Sequence, residues 1–249
     1  MSVPARPTPL FADIADVAKR LAETGYLPDT ATATAVFLAD RLGKPLLVEG
    51  PAGVGKTELA RAVAQCTGSE LVRLQCYEGV DEARALYEWN HAKQILRIQA
   101  GSGDWDSTRD DVFSEEFLLQ RPLLTAIRRT EPTVLLTSNA TRELSEALKR
   151  RCLFLHIDFP SPDLERRILL SRVPELPERL AEELVRIIGV LRGMQLKKVP
   201  SIAETIDWGR TVLALGLDTI DDAVVAQTLG VVLKHQSDQQ RATGELRLN

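Results

Sequence analysis

Cysteine is scarce in this sequence. The three residues, Cys66, Cys76 and Cys152, are odd in number and widely spaced. That fits the reduced thiols of a cytoplasmic protein better than a disulfide framework. Histidine is equally rare, and His91, His156 and His235 show no ligand spacing to the cysteines, so no transition-metal site is expected. Aromatic residues make up only 5% of the chain, which leaves the core to Leu, Val, Ile and Ala. No apolar run approaches the 18 residues a membrane-crossing helix needs, and the N-terminus lacks a basic-then-apolar leader pattern. The net charge of -4 supplies no electrostatic reason to expect a nucleic-acid partner. There are no internal repeats.

What is present alternates. Pro4, Pro7 and Pro9 suggest an extended arm over residues 1–12. Ile14, Val17, Ala18 and Leu21 have helical spacing, and a second helix is expected from Ala31 to Leu42, ending at Gly43. Leu46-Leu47-Val48 reads as a short buried strand, Glu58 to Cys66 as a helix closed by Gly68, and Val72, Leu74 and Cys76 as an alternating strand. Tyr77 to Gln99 is mixed helical in pattern, and the polar, glycine-containing run Gly101 to Asp111 reads as an exposed, mobile loop. Phe117 to Arg129 looks helical with an interruption at Pro122. Thr133 to Thr137 and Leu153 to Ile157 read as strands around a short helix, Glu143 to Arg151. This succession predicts an α/β domain over residues 13–159. Beyond Pro160 and Pro162 only helical periodicity remains, which predicts an all-helical lid over 160–249. Ser201 with Glu204 forms a capping box, Trp208 is a core residue, and Ala223 to Lys234 is the last helix before a polar tail.

One motif carries chemistry. Gly50-Pro51-Ala52-Gly53-Val54-Gly55-Lys56-Thr57 is a complete phosphate-binding P-loop, preceded by a strand and followed by a helix. Its glycines let the backbone turn tightly and aim N–H groups at phosphate oxygens. Lys56 adds a point charge for the β- and γ-phosphates, and Thr57 a hydroxyl for Mg²⁺. The helix from Glu58 onward presents its positive dipole end to the same anion. Nucleotide binding follows from these residues alone.

Longer strings extend the reading. Leu46 to Thr57 (LLVEGPAGVGKT), Leu86 to Ile98 (LYEWNHAKQILRI), Phe117 to Ile127 (FLLQRPLLTAI), Leu135 to Asn139 (LLTSN) and Ala147 to Pro160 (ALKRRCLFLHIDFP) resemble the MoxR branch of the AAA+ ATPases. Within that branch the chain looks closest to CoxD-like members, which assist maturation of molybdenum-containing CO dehydrogenase. The resemblance covers residues 12 to 240. It implies a parallel-sheet AAA+ domain with a helical lid, ATP and Mg²⁺ as cofactors, assembly into a ring (a hexamer in this family), and a client metalloenzyme or its partner. It further implies that Asn139 is the sensor-1 residue and Arg151 the arginine finger, with Arg150 its close competitor. A turn asparagine, and a basic helix end that offsets the helix dipole, are the alternative readings of these residues. The sensor-2 position does not match, since Pro200 to Glu204 (PSIAE) carries no arginine and Arg210 is a weak substitute.

The largest departure is an absence. A hydrolysing member carries four apolar residues followed by Asp-Glu, the Walker B strand, and no such run occurs here. Thr133 to Asn139 (TVLLTSN) begins like that strand and ends like the sensor-1 strand. A deletion, an omitted segment and a degenerate homologue all produce this pattern. Substitute carboxylates are Glu49, Asp104, Asp106 and the pair Glu115-Glu116. The expected functions are therefore a chaperone-like remodelling ATPase or a nucleotide-dependent binding module with little turnover. A P-loop kinase fits poorly with the Arg150-Arg151-Cys152 helix end and the long lid.

Overall fold

The computed structural model describes residues 9–76, 86–100, 111–128, 132–139 and 144–246. By internal contact the chain divides into two compact units, residues 1–69 with 133–249, and residues 70–132.

The first unit is built on a parallel sheet. Strand β1 (Leu46–Glu49) lies at its centre, with β4 (Leu135–Ser138) on one side and β5 (Leu153–His156) on the other. Leu46, Leu47 and Val48 are almost inaccessible to water, as expected of a central parallel strand covered on both faces. Helices α1 (Ile14–Glu23), α2 (Thr30–Leu42) and α3 (Lys56–Thr67) pack with this sheet. Their apolar stripes, Val17 and Leu21, Val36 and Ala39, Leu59 and Val63, join Leu46, Val48 and Leu155 in one core. The ends are set locally. Asp13 and Asp29 accept hydrogen bonds from Asp16 N and Thr32 N, both at 2.7 Å, and Gly43 closes α2 in the left-handed conformation. Residues 1–8 of the expected arm lie outside the described residues. Leu10 and Phe11 are tied down, because the buried carboxylate of Asp40 accepts both their amides and Phe11 enters the core.

The C-terminal part of this unit is helical throughout: α7 (Pro162–Arg172), α8 (Glu178–Gly193), α9 (Ile202–Ala214), α10 (Asp222–Val232) and α11 (Gln236–Glu245). Leu180, Leu184, Ile188 and Leu191 of α8 form its spine, packed with Trp208 and Val212 of α9. Trp208 is a core residue, and its indole N–H donates to Thr228 Oγ1 at 2.8 Å. The capping box is present at α9, where Glu204 accepts both the amide and the hydroxyl of Ser201. The polar tail is in fact helix α11. Its apolar content is low because only a narrow stripe, Asp238 and Ala242, faces inward. The Asp238 carboxylate accepts the backbone amides of Lys197 and Lys198, a tertiary anchor that local pattern does not reveal.

The second unit holds β2 (Tyr87–Trp89) paired antiparallel with β3 (Leu118–Gln120), then α4 (His91–Ala100) and α5 (Pro122–Ile127), with a 3-10 turn at Glu115–Phe117. This corrects two helical expectations. Tyr87 to Trp89 is a strand because Trp89 pairs with Leu118 and packs edge-on against Phe113, ring centroids 5.4 Å apart. Phe117 to Arg129 is not one interrupted helix, since Pro122 opens a new one at its first turn, where a missing N–H costs nothing. The expected strand at Val72 to Cys76 is absent as well. Those residues are largely exposed and have no ladder partner among the described residues, and alternation without a neighbouring strand to bond does not hold an extended chain. Most of the polar loop from Gly101 lies outside the described residues, as do Asp104, Asp106 and Glu143.

In the first unit the short helix α6 (Glu146–Lys149) leads into β5. Parallel register aligns Ser138, Glu49 and His156 in one row at the C-terminal edge of the sheet. Ligands of open α/β sheets bind at that edge.

Candidate functional site

The buried strand β1 delivers the chain to Gly50, whose φ of 152° is a glycine conformation. A Cβ at Gly50 would overlap the carbonyl oxygen of Ile157, the residue that continues β5 and bonds Glu49 O at 2.8 Å. Gly53 (φ 78°) and Gly55 (φ 99°) complete the turn, and Gly55 caps α3. Lys56 is buried beneath the loop, where its ammonium donates to Gly50 O at 2.8 Å and Pro51 O at 2.6 Å. Burial pushes its pKa down from the usual lysine range. Thr57 is exposed in the first turn of α3, and Glu58 follows it.

Beside the loop lies a cavity of about 840 Å³, lined within this one unit by Gly53, Val54, Gly55 and Glu58 and by residues of the lid. Leu27, Ile157, Leu164, Ile168 and Ile206 give it an apolar portion, and Asp29, Asp158, Asp207, Arg172 and Arg210 a polar one. This mixture suits a ligand with an apolar ring and an anionic end. Tyr26 approaches the loop directly, its ring 3.7 Å from where a Gly55 Cβ would stand. Burial, then the charges of Asp29 and Glu58, push its phenol above the usual range, so it stays protonated. The helical C-terminal part touches the loop through Ser201, which stands against Gly53 so closely that any side chain there would overlap it.

The residues singled out from sequence are distributed unevenly. Gly50 through Glu58 form one continuous loop and helix start. Asn139 is exposed immediately after β4, one residue beyond the Ser138–Glu49 register pair, and so stands beside the P-loop. Arg150 and Arg151 are exposed at the end of α6 and are not part of the cavity wall. They precede β5, whose four residues span about 13 Å, so they sit at the opposite sheet edge from their own P-loop. Of the substitute carboxylates, Glu49 is half-buried at the row beside the loop. Glu115 and Glu116 lie in the second unit, paired with Arg128 and Lys93 at exposed positions. Arg210 does line the cavity, and it also bonds Asp207 at 3.3 Å. Sequence reasoning missed Tyr26, Phe159 and Arg172. Gly25-Tyr26, a helix-ending glycine followed by an aromatic, is a faint local signal for the first; Arg172 has none.

Behind the cavity wall lies a buried polar network that joins helices of the C-terminal part. Glu165 is 2% exposed and accepts two hydrogen bonds from Arg192, at 2.5 and 2.8 Å, and one from Thr205 Oγ1 at 2.8 Å. Arg192 also donates to Pro200 O at 2.9 Å and lies over the ring of Phe159, 4.3 Å from its centroid. Among the described residues no cluster of three His, Cys, Asp or Glu could hold a metal ion, and no helix is long and apolar enough to cross a membrane.

The model of the ATPase family associated with various cellular activities (AAA) matches residues 46–161. The 26S proteasome regulatory subunit 8 homolog B of Arabidopsis thaliana is 30% identical over 185 residues, covering 63% of this chain and 39% of that protein. The 26S proteasome regulatory subunit 8 homolog of Schizosaccharomyces pombe is 32% identical over 183 residues, covering 66% and 42%. The chain thus spans about two fifths of the length of these curated relatives. Among solved structures, the AAA domain of FIGL-1 in complex with ADP aligns at 19% identity and a TM-score of 0.36, covering 82% of this chain and 72% of that one. Residues 46–161 match that family's model, and the chain has the fold of an AAA P-loop domain, a parallel sheet followed by a helical C-terminal part.

Proposed function

We propose that the chain binds ATP with Mg²⁺ in this cavity and acts as a chaperone-like remodelling ATPase of the MoxR branch. It works as a ring, a hexamer by family resemblance, on a metalloenzyme of the molybdenum CO dehydrogenase type or its partner. One observation carries the binding reading: a P-loop with its lysine buried beneath Gly50 and Pro51 borders a cavity of about 840 Å³ walled by the helical lid.

The loop amides and Lys56 would take the β- and γ-phosphates, and the apolar wall the base. The donor set also fits Mg²⁺, which keeps several waters and binds through few protein ligands plus phosphate oxygens. The Thr57 hydroxyl, exposed in the first turn of α3, would be such a ligand. Asn139, which follows the Ser138 partner of Glu49, would position water or read the γ-phosphate. Arg151, or its neighbour Arg150, would serve the site of an adjacent copy, since the length of β5 separates it from its own.

A second reading is favoured by a specific feature. Strand β4 ends at Ser138 and is followed by Asn139, and no Asp-Glu follows any apolar run in the sequence. Without a carboxylate to activate water, the chain would be a nucleotide-dependent binding module with little turnover. Titration with ATP and a phosphate-release assay test both. Wild-type chain is expected to bind ATP, Lys56→Ala to weaken binding by at least about tenfold, and phosphate release to be slow. Ordinary turnover that depends on Lys56 removes the module reading, and absence of ATP binding removes both.

A further inference from the structure

The lid meets the P-loop segment at two places of different character. At one, Ser201 at the start of α9 packs against Gly53, a steric contact closed by the capping box. At the other, Arg172, the last residue of α7, donates to Glu58 Oε1 at 2.9 Å across 114 residues of sequence. Both partners line the cavity, and Glu58 directly follows Thr57 in the first turn of α3. The guanidinium also lies flat against Gly25, its central carbon 3.7 Å from where a Cβ would stand. Each charge sits where a helix dipole favours it, Glu58 at the start of α3 and Arg172 at the end of α7. The side chains are 38% and 33% exposed, so the pair is partly screened and easily broken. Arg61 reaches the same carboxylate only at 3.5 Å and does not replace Arg172.

We propose that the Arg172–Glu58 pair is a gate on nucleotide exchange, a breakable clasp between lid and P-loop helix that must open for a nucleotide to enter or leave. This rests on the reading of the cavity as the nucleotide site. The gate lowers entry and exit rates together, because the clasp must open for either, so its effect on affinity is small. A side chain that bonded the nucleotide would instead slow exit alone.

Stopped-flow fluorescence with mant-ADP on the full chain separates these cases. Arg172→Gln is expected to raise association and dissociation rates together by about two- to fivefold, with Kd changed less than about twofold. Arg172→Lys, which keeps the charge, is expected to stay near wild type. The excess rate of the Gln variant should shrink as NaCl rises from about 0.05 to about 0.5 M, where surface attraction is screened. Rates equal to wild type, or a faster dissociation alone, overturn the gate. If the wild-type chain binds no mant-ADP, the site reading itself fails; if it binds with rates indifferent to Arg172, only the gate does.

Discussion

Gly50 shows how narrowly a single position can be determined. Its φ lies in the glycine region, and a methyl group there would occupy the space of the Ile157 carbonyl. Gly50→Ala is therefore expected to push β5 away from β1 or distort the loop. Thermal melting should fall by about 4–8 °C, with ATP binding lost at temperatures where the variant is still folded. An alanine variant that melts and binds like wild type would show that the loop relaxes freely. The P-loop glycines and Lys56 were legible in sequence because their spacing is a local backbone requirement. Tyr26 and Arg172 were not, since they reach the same cavity from elements with no local sequence link to the loop.

Among elements, α7, α8 and α9 are held in register by the Glu165–Arg192 pair as well as by apolar packing. The carboxylate is 2% exposed, so its charge is tolerable only while Arg192 and Thr205 bond it. Arg192→Ala should destabilise the protein by about 3 kcal/mol, readable by denaturant unfolding, because it strands a buried charge. Combining it with Glu165→Leu should recover part of that loss; a double variant no more stable than the single one would argue against stranded charge as the cause. Helix periodicity gave α1, α2, α8 and α9 closely, since each buries one stripe. It failed at Tyr87 to Trp89 and at Val72 to Cys76. There strand formation depends on a partner strand, present at Leu118 to Gln120 for the first and missing among the described residues for the second.

At the scale of the whole molecule, the sheet places Asn139 beside the P-loop and Arg150 and Arg151 at the opposite edge. In the ring reading, Arg151→Ala should leave ATP affinity within about twofold of wild type while abolishing the slow phosphate release of the wild-type ring. Nucleotide titration and phosphate release on the same preparation check this, and an equal loss of affinity would place Arg151 in its own chain's site instead. The sequence by itself determined the P-loop, the strand before it and the helix after it, and the helical C-terminal part, because each depends on the spacing of neighbouring residues. Only the tertiary structure decided which side chains share the cavity, that Ser201 stands on Gly53, and that Arg172 meets Glu58. Those contacts join residues far apart in the chain, and the packing of the lid with the sheet domain fixes them, not any local preference.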